Sequence, residues 1–192
     1  MDQNLHFVLA VDMNPPYPDH LKQVRFGMGC FWGVERLFWQ QKGIHVTSVG
    51  YGGGGDGGGM PNPSYEQVCT GKTNHAELVR VVYDPEQIDF QALLRLFWEQ
   101  HDPTQGNRQG NDVGSQYRSA IYVDEARQLA MAQQSKAQYQ QALYAAGGSV
   151  ITTEIKLESE YYPAEPYHQQ YLAKKPDGYC NLHGTGIIYP KD

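Results

Sequence analysis

The segment Gly29-Cys30-Phe31-Trp32-Gly33 sets a thiol between glycines and beside two large aromatic rings. Upstream, Val24, Phe26 and Met28 alternate with Gln23, Arg25 and Gly27, the period of a half-buried strand. Downstream, Val34, Leu37 and Phe38 recur at helical spacing as far as Gly43. Cys30 is therefore expected where a strand passes into a helix. Unpaired backbone N–H groups and the positive end of the helix dipole favour the thiolate there, and the thiolate is the nucleophilic form. The flanking glycines permit a tight turn and the close approach of a substrate. The competing reading is a buried core cysteine, since free cysteine is among the most buried residue types.

Glu77 is the second residue with chemistry to offer. In the run Ala76–Tyr83 it shares a strand face with Val79, Val81 and Tyr83, while Arg80 lies on the other face with Leu78 and Val82, and the Glu77 face is the better candidate for burial. A carboxyl on an apolar face is harder to ionise, so it could stay protonated near neutral pH and act as a general acid. A strand-end Glu reaching solvent or an arginine is the alternative. Between Gly110 and Ser119 the chain packs Asn111, Asp112, Ser115, Gln116 and Tyr117 around Gly110 and Gly114, just before a strand. Loops so placed often present site groups, and Tyr117 could donate to a substrate oxygen, although an ordinary turn has the same composition. Cys69, on a short helix with nothing activating nearby, reads as a small packed side chain. His75, His101, His168 and His183 could each serve a cysteine-hydrolase as base, but no hydrolase signature surrounds any of them or Cys30.

The elements that must position these groups are legible from periodicity and caps. Ile44 to Gly50 reads as a strand, and Ser64 as the cap of a short helix through Tyr65, Val68 and Cys69. Ala76 to Tyr83 is a strand closed by Asp84-Pro85, and Asp89 caps a helix with the apolar stripe Phe90, Leu93, Leu94, Phe97 and Trp98. Arg118 to Val123 is a strand, Asp124 is expected to cap a long helix ending near Gly147-Gly148, and Ile151, Thr153, Ile155 and Leu157 alternate as a further strand. A final helix through Tyr167 and Leu172 should start at Pro163 or Pro166. Beyond Pro176 the tail shows no periodicity and reads as loose, so that Cys180 could swing to meet another thiol. The tract Gly52–Gly59 reads as a flexible loop. It lacks the Lys-Ser/Thr ending of a phosphate cradle.

The chain has 192 residues, enough for one domain with a full core. Fifteen basic against 21 acidic residues give a net charge of −6 with no basic cluster, which argues against nucleic acid as a partner. The apolar run Leu5–Val11 is too short for a membrane span and lacks the flanking positive charge of a signal peptide, so a cytoplasmic location is expected. Cys30, Cys69 and Cys180 form no CxxC or zinc-ligand pair, so no metal is expected.

Taken together the chain from about Val24 to Pro190 resembles the type A peptide methionine sulfoxide reductases (MsrA). The likeness is carried by Gly-Cys-Phe-Trp-Gly at 29–33, Pro-Asn-Pro-Ser-Tyr at 61–65, Val-Cys-Thr-Gly at 68–71, His-Ala-Glu at 75–77, Gln-Gly-Asn-Asp at 109–112, Gln-Tyr-Arg-Ser at 116–119 and Gly-Tyr-Cys at 178–180. The resemblance implies an α+β fold, a single-domain compact two-layer sandwich around a mixed sheet with a ferredoxin-like core and extensive coil. It divides the chain into an N-terminal arm (1–21), a catalytic core (22–174) and a mobile tail (175–192) bearing a resolving cysteine. It implies that Cys30 attacks the sulfoxide sulfur and Glu77 protonates the departing oxygen. Tyr65 and Tyr117 would bond that oxygen with Asp112 in the same network, and Phe31 and Trp32 would hold the substrate methyl group. Cys180 would condense with the Cys30 sulfenic acid, and thioredoxin would reduce the disulfide. The implied enzyme is a monomer without bound cofactor, acting on free methionine S-sulfoxide and on the protein-bound form.

The chain departs from the family in two ways. The stretch Gly186–Pro190 lacks the further relay cysteine of some members, so the Cys30–Cys180 disulfide should meet thioredoxin directly, and the glycine tract is longer than usual. A cysteine-dependent hydrolase and a non-catalytic, aromatic-rich binding module are the alternatives. Fourteen tyrosines could stack on bases in the latter, but the negative charge opposes it.

Overall fold

The β-branched and aromatic runs of the chain pair into a mixed sheet in the computed structural model, which describes residues 4–54, 59–158 and 160–190. In chain order the elements are β1 (Lys22–Met28), α1 (Phe31–Trp39), β2 (Ile44–Gly52), α2 (Tyr65–Cys69), β3 (Ala76–Tyr83) and α3 (Phe90–Gln100), then β4 (Arg108–Gln109), β5 (Asp112–Val113) and a 3-10 turn (Ser115–Tyr117). They continue with β6 (Ser119–Val123), α4 (Ala126–Ala145), β7 (Glu154–Leu157), β8 (Tyr162–Pro163) and α5 (Tyr171–Lys174). The main sheet is six-stranded in the order β7-β6-β1-β3-β2-β8, while β4 and β5 form a separate hairpin. The β6–β7 pair is parallel and the other pairs are antiparallel. Gly55 to Gly58, the centre of the glycine tract, lies outside the described residues. No helix among the described residues is long and apolar enough to cross a membrane.

One face of the sheet carries the main core. Val24, Phe26 and Met28 of β1, Val79, Val81 and Tyr83 of β3, and Ile121 and Val123 of β6 pack there against Val34 and Phe38 of α1, the Phe90–Trp98 stripe of α3, and Ala132, Tyr139 and Leu143 of α4. Trp98 is fully buried, and its indole N–H finds Ser135 Oγ at 2.9 Å, so its burial leaves no donor unpaired. The expectation of half-buried strands is corrected, because the opposite face is covered too. Met13 of the N-terminal arm packs with Val46 and Val82, and Tyr161 packs over Leu78, Ala120 and Tyr122. Arg80 is buried on that face, donating to Met13 O at 2.7 Å and facing the rings of Tyr17 and Tyr161. The arm also reaches α1. His6 bonds Thr47 Oγ1, and Thr47 and Gln170 both donate to the buried carboxylate oxygens of Glu35, whose burial lifts its pKa to about 7.

Asp89 caps α3 as expected, accepting from Ala92 N at 2.6 Å, and Ser64 and Gln67 form a capping box on α2. Asp124 does not cap α4. The N-cap is Glu125, without a side-chain bond, and Asp124 instead pairs with Arg25 at 2.9 Å. The Arg25 side chain is only 4% exposed, and a buried guanidinium without a counter-charge would cost more than a cap hydrogen bond supplies.

Three further expectations change. Ile151 and Thr153 are buried but precede β7, because Ile151 N bonds the Gln140 side chain and Thr152 N bonds Pro103 O in place of a strand partner. No helix starts at Pro163 or Pro166. Tyr162–Pro163 adds to the edge of β2, Gln169 brackets the Val49 backbone, and Gln170 turns left-handed to reach Glu35, so only Tyr171–Lys174 is helical. The tail has no regular structure but is not loose at its end. Tyr189 is 1% exposed, stacks on Tyr139, donates to Gln138, accepts from Gln91, and takes Glu99 Oε1 on its backbone N–H.

The Asp124 correction yields a stability ranking. Asp89→Ala should lower unfolding free energy by about 1 kcal/mol, the usual worth of a cap, and Asp124→Ala should lower it by more. Urea unfolding of both variants checks this, and an Asp124→Ala loss no larger than the cap's would mean that the pair with Arg25 contributes no more than a cap hydrogen bond.

Candidate active site

Gly29 at the end of β1 adopts φ +87°, and a Cβ built there would lie 2.7 Å from the Gln109 side chain. That turn delivers Cys30 to the N-cap of α1. The next residue, Phe31, sends its backbone N–H to Glu77 Oε2 at 3.1 Å, so one of the unpaired donors of the helix start is satisfied by a carboxyl from the neighbouring sheet. Glu77 is the second residue of β3, opposite Tyr51 of β2 in register, and 2% exposed. Burial raises its pKa to about 8. The Phe31 N–H works against that rise and Asp112 adds to it.

Cys30 itself departs from the sequence expectation. Burial pushes its thiol well above the usual range, Glu77 pushes it further, and the Trp32 backbone N–H opposes them without prevailing. The helix N-terminus therefore does not yield a thiolate in the resting site, because withdrawing an anion from water outweighs half a unit of dipole charge. Thiol and carboxyl sit together as two neutral acids at neutral pH.

The remaining residues singled out in the sequence converge on this pair. One pocket of about 180 Å³ is lined by Cys30, Phe31, Trp32, Tyr65, Glu77, Asp112, Tyr117 and Tyr179. Tyr65 arrives on the first turn of α2 and Tyr117 on the 3-10 turn, whose Ser115 carbonyl is held by Arg118 at 2.9 Å. Both hydroxyls are pushed far above the usual phenol range, by burial first and then by other groups: the bond to Cys69 at Tyr65, and the Glu77 charge at Tyr117. They remain donors at any physiological pH. Asp112, on β5, accepts the Tyr179 hydroxyl at 3.0 Å. Cys30, Cys69 and Cys180 are unlinked, and Cys180 is exposed on the tail outside the pocket lining. Cys69 is exposed rather than packed, which corrects its reading, because α2 is a single short helix at the surface.

Several supporting residues have no signature of their own in the sequence. Tyr179 was visible only as a neighbour of Cys180. His168 gathers the aromatic wall. Its Nδ1 accepts the Trp32 indole N–H at 3.1 Å, and its ring packs on Phe31, Trp32, Tyr65 and Tyr167. Tyr171 stacks on Trp32 at 3.8 Å. Glu165 accepts Tyr65 N and the Tyr51 hydroxyl, each at 2.9 Å. The spacing of Glu165, His168 and Tyr171 was hidden because the expected helix through them does not form. Among the described residues no histidine hydrogen-bonds to Cys30, and no group of three or more His, Cys, Asp or Glu side chains is placed to hold a metal ion.

Residues 22–187 match the family model described as peptide methionine sulfoxide reductase. A relative from Brucella melitensis named peptide methionine sulfoxide reductase MsrA is 57% identical over 185 residues, covering 96% of this chain and 83% of its own. The methionine sulfoxide reductase A of Corynebacterium diphtheriae superposes with a TM-score of 0.80 at 45% identity, over 97% of this chain and 89% of that one. Yeast Mxr1 in its reduced form gives 0.76 at 32% identity, over 92% of this chain and 96% of that one. A further structure holds Mxr1 in complex with Trx2, at a TM-score of 0.55, 22% identity and coverage of 91% and 96%, a likeness of fold alone. The site and fold thus stand on an oxidoreductase scaffold. The chain belongs to the peptide methionine sulfoxide reductase family.

The Glu77 shift has a stability signature. Its folded pKa of about 8 lies above the ordinary 4.5, so between those values the folded state binds the proton that the unfolded state releases, and stability falls as pH rises through that window. Glu35, at about 7, acts in the same sense. Glu77→Gln should therefore be more stable than the parent at pH 8 and lose that advantage toward pH 4, with part of the downward slope remaining from Glu35. Urea unfolding across pH 4–9 measures it, and an unchanged slope in the variant would mean that Glu77 ionises freely.

Proposed function

We propose that this protein reduces methionine S-sulfoxide, protein-bound and free, through a Cys30 sulfenic acid and a Cys30–Cys180 disulfide that thioredoxin recycles. The observation that carries the reading is the buried Glu77 carboxyl bound to Phe31 N–H beside the Cys30 thiol, within an aromatic pocket. Phe31 and Trp32 offer the substrate's S-methyl group ring surfaces, against which sulfur contacts are worth on the order of 0.3–1.5 kcal/mol. Tyr65, Tyr117 and the Glu77 acid donate to the sulfoxide oxygen, and Asp112 steadies that side of the pocket through Tyr179.

The chemistry balances without a metal or bound cofactor. The Cys30 sulfur attacks the sulfoxide sulfur as Glu77 gives its proton to the oxygen, and the thiol proton restores Glu77. The hydroxyl passes to Cys30, which is oxidised to sulfenic acid, and methionine leaves reduced. Only when the sulfoxide oxygen takes the Glu77 proton does the site gain from losing the thiol proton, which explains how a nucleophile with so high a resting pKa can still act. The Cys180 thiol then displaces hydroxide, released as water, and an external dithiol reduces the disulfide. The complex of yeast Mxr1 with Trx2 supports thioredoxin in that part.

We place the protein in the cytoplasm, where thiols are kept reduced. The strand order β6-β1-β3-β2, with α1 after the first strand and α3 after the third, supports a ferredoxin-like core in a two-layer sandwich. We place the catalytic core at 22–174 between an arm and a cysteine-bearing tail, in a monomer. A hydrolase reading lacks the histidine base at Cys30.

Single-turnover assays test the assignment. Cys30→Ser should abolish methionine formation, and activity above a few per cent would remove Cys30 from the role. Cys180→Ser should keep one stoichiometric burst of methionine and lose thioredoxin-driven cycling. Glu77→Gln should slow the burst by roughly 10²–10⁴-fold, the range a general acid supplies. Because the acid form is the active one, the parent rate should decline as pH rises through about 8, and a decline that persists unchanged in the Gln variant would assign the proton to another group.

A further inference from the structure

Gly33 lies in the first turn of α1, three residues beyond Cys30, in ordinary helical conformation. Glycine is a poor helix former, and no positive φ requires it here. What it meets is the tail. A Cβ at position 33 would fall 2.7 Å from Cys180 Sγ and 3.2 Å from Leu182 Cβ. The first contact could be relieved by turning the thiol, but the second is tied to the tail backbone and could be relieved only by moving the tail. The tail around Cys180 is in turn fixed from both sides. Tyr179 donates to Asp112, Asn181 Nδ2 donates to Gln109 O at 3.1 Å, and Leu182 packs on the main core. Cys30 is the N-cap three residues before Gly33, and the Cys180 thiol lies near enough to it to disfavour its anion, so the gap at Gly33 seats the Cys180 thiol beside Cys30.

We infer that Gly33 is a positioning residue for the resolving step, the absence of its side chain forming the seat from which the Cys180 thiol reaches the Cys30 sulfenic acid. This rests on the function proposed above. In that step the S–S bond forms as the S–O bond of the sulfenic acid breaks, the Cys180 proton leaving with the hydroxide as water. The rate depends on how the thiol is held, and a displacement of about 1 Å can cost on the order of 10²-fold.

The test separates the two chemical steps in Gly33→Ala. Reaction with one equivalent of methionine S-sulfoxide should give the methionine burst at the parent rate, while disulfide formation, followed by loss of free thiol, slows by about tenfold or more. Dimedone, which traps sulfenic acid, should then label Cys30 in the variant and scarcely in the parent. Thioredoxin-driven turnover should fall, whereas turnover with a high concentration of a small thiol that attacks the sulfenic acid directly should persist. A merely structural defect would lower both. Leu182→Ala leaves α1 untouched and loosens the seat from the tail side, so it should also slow the disulfide step, and it decides the matter if Gly33→Ala does not fold. Parent-rate disulfide formation in the folded variants overturns the inference. So does a burst lost on adding Gly33→Ala to Cys180→Ser, since the methyl group would then act on the Cys30 pocket itself. If the parent protein gives no methionine or no Cys30–Cys180 disulfide, the proposed function fails instead.

Discussion

The hydrogen bond from Phe31 N–H to the buried Glu77 carboxyl fixes the geometry on which the rest of the site depends. It joins the first turn of α1 to the central strand β3, and so sets the separation of thiol and acid by backbone rather than by flexible side chains. It also satisfies a helix-end donor that would cost about 1–3 kcal/mol if left unpaired out of water. The same burial that makes this bond firm keeps Glu77 protonated and suppresses the Cys30 thiolate. A stable, non-reactive resting state and an acid ready to donate are thus two results of one desolvated contact.

Around that contact the pocket is built by groups that never enter the chemistry. The His168 ring bears on Phe31, Trp32 and Tyr65 at once, and its acceptor nitrogen fixes the Trp32 indole. Glu165 holds the backbone of Tyr65 and the hydroxyl of Tyr51, the residue paired with Glu77 across the sheet. Rigid aromatic walls suit a substrate whose distinguishing feature is a small polar S–O group at the end of an apolar chain. Walls that do not adjust leave the oxygen one place to go, toward Tyr65, Tyr117 and Glu77.

The coil that covers the second face of the sheet and the tail that crosses α1 carry as much of the architecture as the helices. Arg25, Arg80, Glu35 and Gln170 are buried polar groups that bind arm, sheet and late loop together by hydrogen bonds. Each would be expensive if unpaired, so together they determine where irregular chain must run.

The sequence by itself determined whatever depends on neighbours along the chain. The strand-to-helix turn at Cys30, the place of Glu77 on the strand face of Val79 and Val81, the Ser64 and Asp89 caps and the core stripe through Trp98 all follow from periods of two or 3.6 residues and from local hydrogen bonds. What failed did so where a distant partner won. Asp124 left the helix end for Arg25, and residues 164–170 gave up helix to bond Val49 and Glu35. The tail end packed on α3 and α4 through Tyr189. Tyr65 was reached in the sequence only by resemblance, His168 only as a base for a hydrolase that the site does not form, and Glu165 not at all, because their value lies in rings and carboxylates that meet across a hundred positions or more. Only the tertiary structure could decide the state of Cys30, since a local helix dipole favours its anion and desolvation by the assembled pocket opposes it more strongly.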